Sequence, residues 1–190
     1  MKKIILASQS VYKKRMVENL GIHFEAESPR VDEVVLPGES PEETVLRLSV
    51  EKAEAVAARH PEAIVVATDQ AVSIDGELLG KPGTFEAAKE HLSRMQGRTH
   101  KLLTAVTVIG DGHRESALEI HHMTMRPLST SAIARYLVKD QPLDSAGSYK
   151  IETMGISLFS SISGNDPVAI MGVPMIALTK LLLRWGIEIP

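Results

Sequence analysis

The chain has 190 residues, 44% of them apolar and 24% charged, with a net charge of −3 and no cysteine. That is enough apolar material for one globular domain with a real core, and it excludes a disulfide framework or a thiolate metal site. The slightly negative balance argues against a nucleic-acid backbone as partner, but a small anion held by a few local cations is open. The early apolar run, Ile4 to Ala7, is too short for a signal-peptide core, and no stretch approaches the roughly 20 residues that span a bilayer. The expectation is a cytoplasmic protein without a membrane or nucleic-acid partner.

In chain order, "KIILAS" predicts a short buried strand. Ser10 can then cap a helix through "VYKKRMVENL", which Gly21 closes. "HFEAES" alternates like a second strand. The clearest helix is "SPEETVLRLSVEKAEAVAAR", where Ser40 and Glu43 form a capping box and Pro41 suits the first helical position. "AIVVAT" predicts a strand ending at Asp69, and "AVSIDGELLG" a hairpin turning at Asp75-Gly76. Thr84 caps "FEAAKEHLSRM", with Gly97 past its end. "HKLLTAVTVI" and "ESALEIHHMTM" read as paired strands around "GDGH". Ser129 opens a helix through "SAIARYLVKD", and Pro174 starts a last helix ended by Gly186. "SYKIE" and "ISLFSSIS" fit no single element. Helices alternate with strands, but hairpins also occur, so the sheet is expected to be mixed.

Four charged features resist their settings. Asp69 interrupts the apolar "VVATDQAVSI", where an ionised carboxylate costs several kcal/mol unless paired, hydrogen-bonded or bound to a cation. Lys52 falls in the middle of the apolar helix face made by Val45, Leu48, Ser49, Ala53 and Val56, taking about 100° per residue. It either snorkels past the core edge or reaches an anion. Asp32 and Glu33 in "VDEVV" either form an acidic turn or help hold a divalent cation. Lys81 in "LLGKPGT" sits between glycines that permit close approach of a ligand, although a turn before a helix explains it as well. The Ser8, Ser10, Lys13 and Lys14 turn suits either a phosphate or an ordinary capped helix. His121 and His122 point to opposite faces of a strand and are read as structural.

"LASQS", "VDE", "EKA", "ATDQAV", "GKP", "SAGSYKIE" and "GVPMIAL", in this order and over nearly the whole chain, resemble the Maf family of nucleoside triphosphate pyrophosphatases. "TDQ", "GELLGKP" and the glutamate of "SYKIE" are most similar to the branch that hydrolyses 7-methyl-GTP. The branch acting on dTTP and UTP typically has threonine at the position of Gln70 and glutamine at that of Glu152. The resemblance implies an α/β fold: a twisted mixed sheet flanked by helices, with two lobes around a central cleft, residues 1–190 forming one domain. It implies Asp69 as the catalytic base, and Glu33 with Asp69 as ligands of a divalent cation, Mg²⁺ or else Mn²⁺ or Co²⁺. Ser8, Ser10, Lys13, Lys52 and Lys81 would bind the triphosphate, and Tyr12, Gln70 and Glu152 would choose the base. A homodimer also fits the resemblance. The alternatives it leaves are a pyrophosphatase for dTTP, UTP or another noncanonical nucleotide, and a non-catalytic nucleotide-binding regulator of cell division. One departure is local: where the family has serine-proline-arginine-arginine or a close variant, this chain reads "SVYKK". Lys13 and Lys14 keep the charge but lack the bidentate guanidinium.

Overall fold

The computed structural model describes residues 2–189. Its strands are β1 (Ile4–Leu6), β2 (Glu25–Ala26), β3 (Ile64–Ile74), β4 (Glu77–Leu79), β5 (Thr99–Gly110), β6 (His113–Met125) and β7 (Phe159–Ser163). The helices are α1 (Val11–Glu18), α2 (Pro41–Ala57), α3 (Phe85–Met95), α4 (Thr130–Asp140) and α5 (Met175–Arg184). Hydrogen-bonded neighbours run β2-β1-β3-β5-β6-β7, and β4 pairs with β3. The β1–β2 and β1–β3 pairs are parallel, whereas β3–β4 and β6–β7 are antiparallel, so the sheet is mixed as the alternation of elements implies. Asp75-Gly76 and Asp111-Gly112 turn the two tight hairpins with positive φ at both residues, a twist that matches the flanking strands.

The chain forms two compact units. Of the described residues, the first comprises 2–69, 104–119 and 166–189, and the second 70–103 and 120–165. In the first, strand alternation sorts side chains onto two faces. Ile4, Leu6, Ile64 and Val66 join Met16 and Val17 of α1 and Leu178, Leu181 and Leu182 of α5 in one core. Ile5, Ala7, Ala63, Val65 and Ala67 pack instead on Ala53 and Val56 of α2. The small alanines on that face allow α2 to lie close to the sheet. Full burial of each Leu, Ile or Val contributes about 1.5–3 kcal/mol. α2 begins at the expected capping box, with both reciprocal bonds of Ser40 and Glu43 formed.

In the second unit α3 packs against α4. Ala88, Leu92 and Met95 of α3 and Ile133, Tyr136 and Leu137 of α4 are the buried residues of this pair. His100, Tyr149 and Phe159 form a ring cluster, with His100 Nε2 3.1 Å from the Tyr149 hydroxyl. Gly147, at φ 68°, lies against Val72, whose Cγ2 would be 2.7 Å from an added Cβ. His121 is buried and His122 exposed, so the two point to opposite faces of β6 as expected.

Two elements differ from expectation. β3 does not end at Asp69 but runs through it to Ile74, 11 residues in all, with an ion pair compensating the carboxylate in place. "HFEAES" contributes only the two exposed residues of β2. Of the two stretches the sequence left ambiguous, "SYKIE" forms no strand, and "ISLFSSIS" divides between a 3₁₀ turn, Gly155–Leu158, and β7.

Burial lowers the His100 pKa from its usual 6.5 to about 4. The unfolded chain therefore takes up a proton that native His100 refuses, and stability falls as pH drops from about 6.5 towards 4, by up to about 3 kcal/mol. His91, also lowered chiefly by burial, acts in the same direction. Urea unfolding of His100→Gln at pH 7 and pH 5 is expected to show a shallower loss of stability than the parent shows.

Candidate active site

Two periodicities bring Asp69 and Lys52 together. Ala63, Val65 and Ala67 face α2, so the next residue of that parity, Asp69, faces it too. On α2 the buried stripe is Val45, Leu48, Ser49, Lys52, Ala53 and Val56. Lys52 Nζ donates to Asp69 Oδ1 at 2.5 Å, and both residues are 6% exposed. The same ammonium donates to Glu33 Oε1 at 2.5 Å, from a loop between β2 and α2. Glu33 keeps a side-chain exposure of 46%. Burial alone would pull the Lys52 pKa down, but the Asp69 charge and the hydrogen bonds to Asp69 and Glu33 outweigh it and hold the group above its usual value. Lys52 therefore stays an ammonium through the neutral range.

The turn after β1 lies in the same unit. Ser8 Oγ accepts from the Ser10 amide at 3.1 Å, and Ser10 is the N-cap of α1, its hydroxyl accepting from the Lys13 amide. Lys13 Nζ donates to the carbonyl of Thr68 at 3.0 Å, one residue before Asp69. Tyr12 is exposed on the first turn of α1. Thus Glu33, Lys52 and Asp69 meet directly, and Lys13 bonds the backbone beside them.

Gln70, Lys81 and Glu152 belong to the second unit. Gln70 follows Asp69 in β3 and is half-buried, while Lys81 and Glu152 are exposed. The Lys81 loop is tied to the segment after α4 by two backbone bonds, Gly83 N to Leu143 O and Gly147 N to Gly80 O. Asp144 meets Lys150 at 2.8 Å, and its pKa is held down first by the hydrogen bond from Lys150 and more weakly by the Lys81 charge. Lys150 and Asp144 were not singled out from sequence. The lysine stands inside the quoted "SAGSYKIE", and that was the available signal. Arg47, which touches the backbone beside Glu33, was also missed.

For a divalent cation the donor chemistry fits. Two carboxylates, both hard oxygen donors, approach one point now bridged by an ammonium, and one of them is open to solvent. Among the described residues no group of three or more His, Cys, Asp or Glu could hold a metal. An ion here would therefore complete its shell with water and ligand oxygens, as Mg²⁺ commonly does beside phosphates.

The family model of Maf-like proteins matches residues 3–185. The chain belongs to the Maf family. Among its relatives, a protein of Xanthomonas campestris pv. campestris named 7-methyl-GTP pyrophosphatase is 46% identical over 191 residues, covering 100% of both chains. A protein of Bordetella pertussis with the same name is 46% identical over 186 residues, covering 98% of this chain and 94% of its own. Among solved structures, a HAM1 protein from Coxiella burnetii aligns with a TM-score of 0.51 at 11% identity, over 97% of this chain and 100% of that one. That likeness bears on the fold alone, and it agrees with a Maf/ITPase-like mixed sheet.

Breaking one side of a buried ion pair leaves an uncompensated charge and costs about 3–5 kcal/mol. Lys52→Met is expected to lose that much in urea unfolding, and Lys52→Met combined with Asp69→Asn to recover part of it. Additive losses would show that the pair is not coupled.

Proposed function

We propose that this Maf-family chain is a cytoplasmic nucleoside triphosphate pyrophosphatase that converts 7-methyl-GTP to 7-methyl-GMP and pyrophosphate. The observation that carries the proposal is the convergence of Glu33 and Asp69 on the buried Lys52. The names of full-length relatives support the choice of nucleotide. In this reading water attacks the α-phosphorus, the α–β anhydride bond breaks, and pyrophosphate leaves. Asp69 orients the water and accepts its proton. Glu33 and Asp69 would hold the divalent cation, which when bound supplies Lewis-acid stabilisation of charge on the phosphate oxygens. Lys52 stands at the same point as a fixed positive charge, stabilising the charge that grows in the transition state.

Ser8, Ser10 and the N-terminal amides of α1 offer hydrogen-bond donors to phosphate, and Lys13 adds a cation at that turn. Lys81 contributes a further cation to the polyphosphate. The Glu152 carboxylate accepts hydrogen bonds from guanine N1–H and the N2 amine, and Tyr12 stacks on the cationic methylated purine. Gln70 completes the base-selecting set. Lysines at 13 and 14, in place of a bidentate guanidinium, give a looser hold on the phosphates.

The test is pyrophosphate release from 7-methyl-GTP, GTP, dTTP and UTP with Mg²⁺, Mn²⁺ or Co²⁺. The expected result is turnover of 7-methyl-GTP at least about tenfold above the others, a preference of about 1.4 kcal/mol. Preference for dTTP or UTP would move the substrate to a pyrimidine nucleotide. Stoichiometric binding without pyrophosphate release would make the protein a nucleotide sensor. Asp69→Asn is expected to keep the fold and to lose about 10²-fold or more in kcat, the scale of general-base catalysis. Turnover at the parent rate would remove Asp69 from the role of base.

A further inference from the structure

We infer that Arg47 is the positioning residue for Glu33, fixing the loop that delivers this carboxylate to Lys52 and hence to the metal ion. The inference rests on the metal-binding role proposed above for Glu33 and Asp69.

Residues 31–36 form neither helix nor strand, so no ladder holds them. Beyond the half-buried Val31, packing does little to hold them either. Val34, Val35 and Leu36 are 57%, 54% and 44% exposed, three consecutive aliphatic side chains turned to solvent directly after Glu33. A segment with so little burial gains little to offset the entropy of ordering it. Its position must come from polar tethers, and these converge on α2.

Arg47 is the centre of those tethers. Its Nε donates to Glu39 Oε1 at 2.6 Å and its Nη2 to Glu39 Oε2 at 2.8 Å, a bidentate pair at the far end of the loop. The same Nη2 donates to the carbonyl of Val34 at 2.8 Å, in the residue next to Glu33. Nη1 donates to Glu51 Oε1 at 3.0 Å, one turn along α2, which orients the guanidinium. Glu39 in turn accepts from the Leu36 amide at 3.3 Å and from the Thr44 hydroxyl at 3.1 Å. The loop is thereby fastened at Val34, Leu36 and Glu39 by a single arginine and its carboxylate partner. Lys52, five residues further along the same helix, fastens Glu33 itself. The two basic residues thus set the carboxylate from one rigid element. Arg47 touches neither the other ligand nor the reacting atoms in this scheme, so it acts through the loop. Hydrogen bonding from Arg47 brings the Glu39 pKa down from 4.5 to about 2, and Glu39 in turn raises that of Arg47, so the clasp stays ionised across the neutral range. Its contribution to the fold is lost only as pH falls from about 4.5 towards 2.

The experiment is Mn²⁺ binding by electron paramagnetic resonance, without nucleotide, on the folded full chain, paired with the metal dependence of pyrophosphate release. Arg47→Met is expected to weaken Mn²⁺ binding about tenfold. It should raise the metal concentration needed for half-maximal turnover by a similar factor, and recover most of kcat at saturating metal. Glu54→Gln, on the same helix but outside the clasp, weakens an exposed pair with Arg114 and should bind Mn²⁺ as the parent does. Glu39→Gln breaks the fork while leaving Arg47 in place; its expected loss is about threefold, and it serves if Arg47→Met does not fold. A folded Arg47→Met, or Glu39→Gln in its stead, with parental Mn²⁺ affinity and only a lower melting temperature would overturn the inference alone. A parent chain that binds no Mn²⁺ would overturn the metal role of Glu33 and Asp69, and this inference with it.

Discussion

One ammonium organises the first unit. Lys52 sits where an apolar helix face would ordinarily carry leucine, and it is nearly as buried as its neighbours. A buried ammonium of this kind survives only with well-placed counter-charges, and it has two, both at 2.5 Å. The constraint is mutual. Without Lys52, Asp69 would be an uncompensated charge inside an 11-residue strand that runs on into its hairpin. Without the carboxylates, Lys52 could not occupy the stripe between Ser49 and Ala53.

That mutual dependence separates the site from a stabilising device. A well-packed hydrophobic pair of the same volume would serve the fold at least as well as a buried ion pair. Retaining charges there places hard oxygen donors and a fixed cation in one spot, the arrangement that the proposed hydrolysis of a nucleoside triphosphate would use. The neighbouring turn adds to this. Its hydroxyl oxygens accept from backbone amides, which leaves their O–H groups, the amides of the first turn and the Lys13 ammonium as donors to an anion, and Lys13 bonds the strand carbonyl just before Asp69.

Helix α2 does more than pack. One of its faces buries aliphatic residues against the alanine-lined side of the sheet, and Lys52 emerges from that same stripe. A second face carries Arg47, oriented by Glu51, and Arg47 grips the irregular loop before the helix. A rigid element bearing both the cation and the clasp is a sound way to keep a carboxylate on an irregular segment within reach of its partner. The exposed aliphatic run from Val34 to Leu36 shows how little else holds that segment.

Much of this was legible in the sequence, for reasons of period and capping. Residues 41–57 announce a helix by their capping box and apolar stripe, and the stripe already placed Lys52 inward. The Asp-Gly pairs announced both tight hairpins. The anomaly of Asp69 was visible as a charge in an apolar run, and the family resemblance named its company. The tertiary structure decided what local patterns cannot carry. Strand β3 passes through Asp69 with a lysine 17 residues earlier neutralising it, and no local rule contains that partner. The grip of Arg47 on Val34 and Glu39 likewise depends on where a loop without periodicity folds back against its helix. Periodicity reports which face a residue occupies. Only the closed chain reports what stands opposite, because electrostatic compensation acts through space between residues distant in sequence.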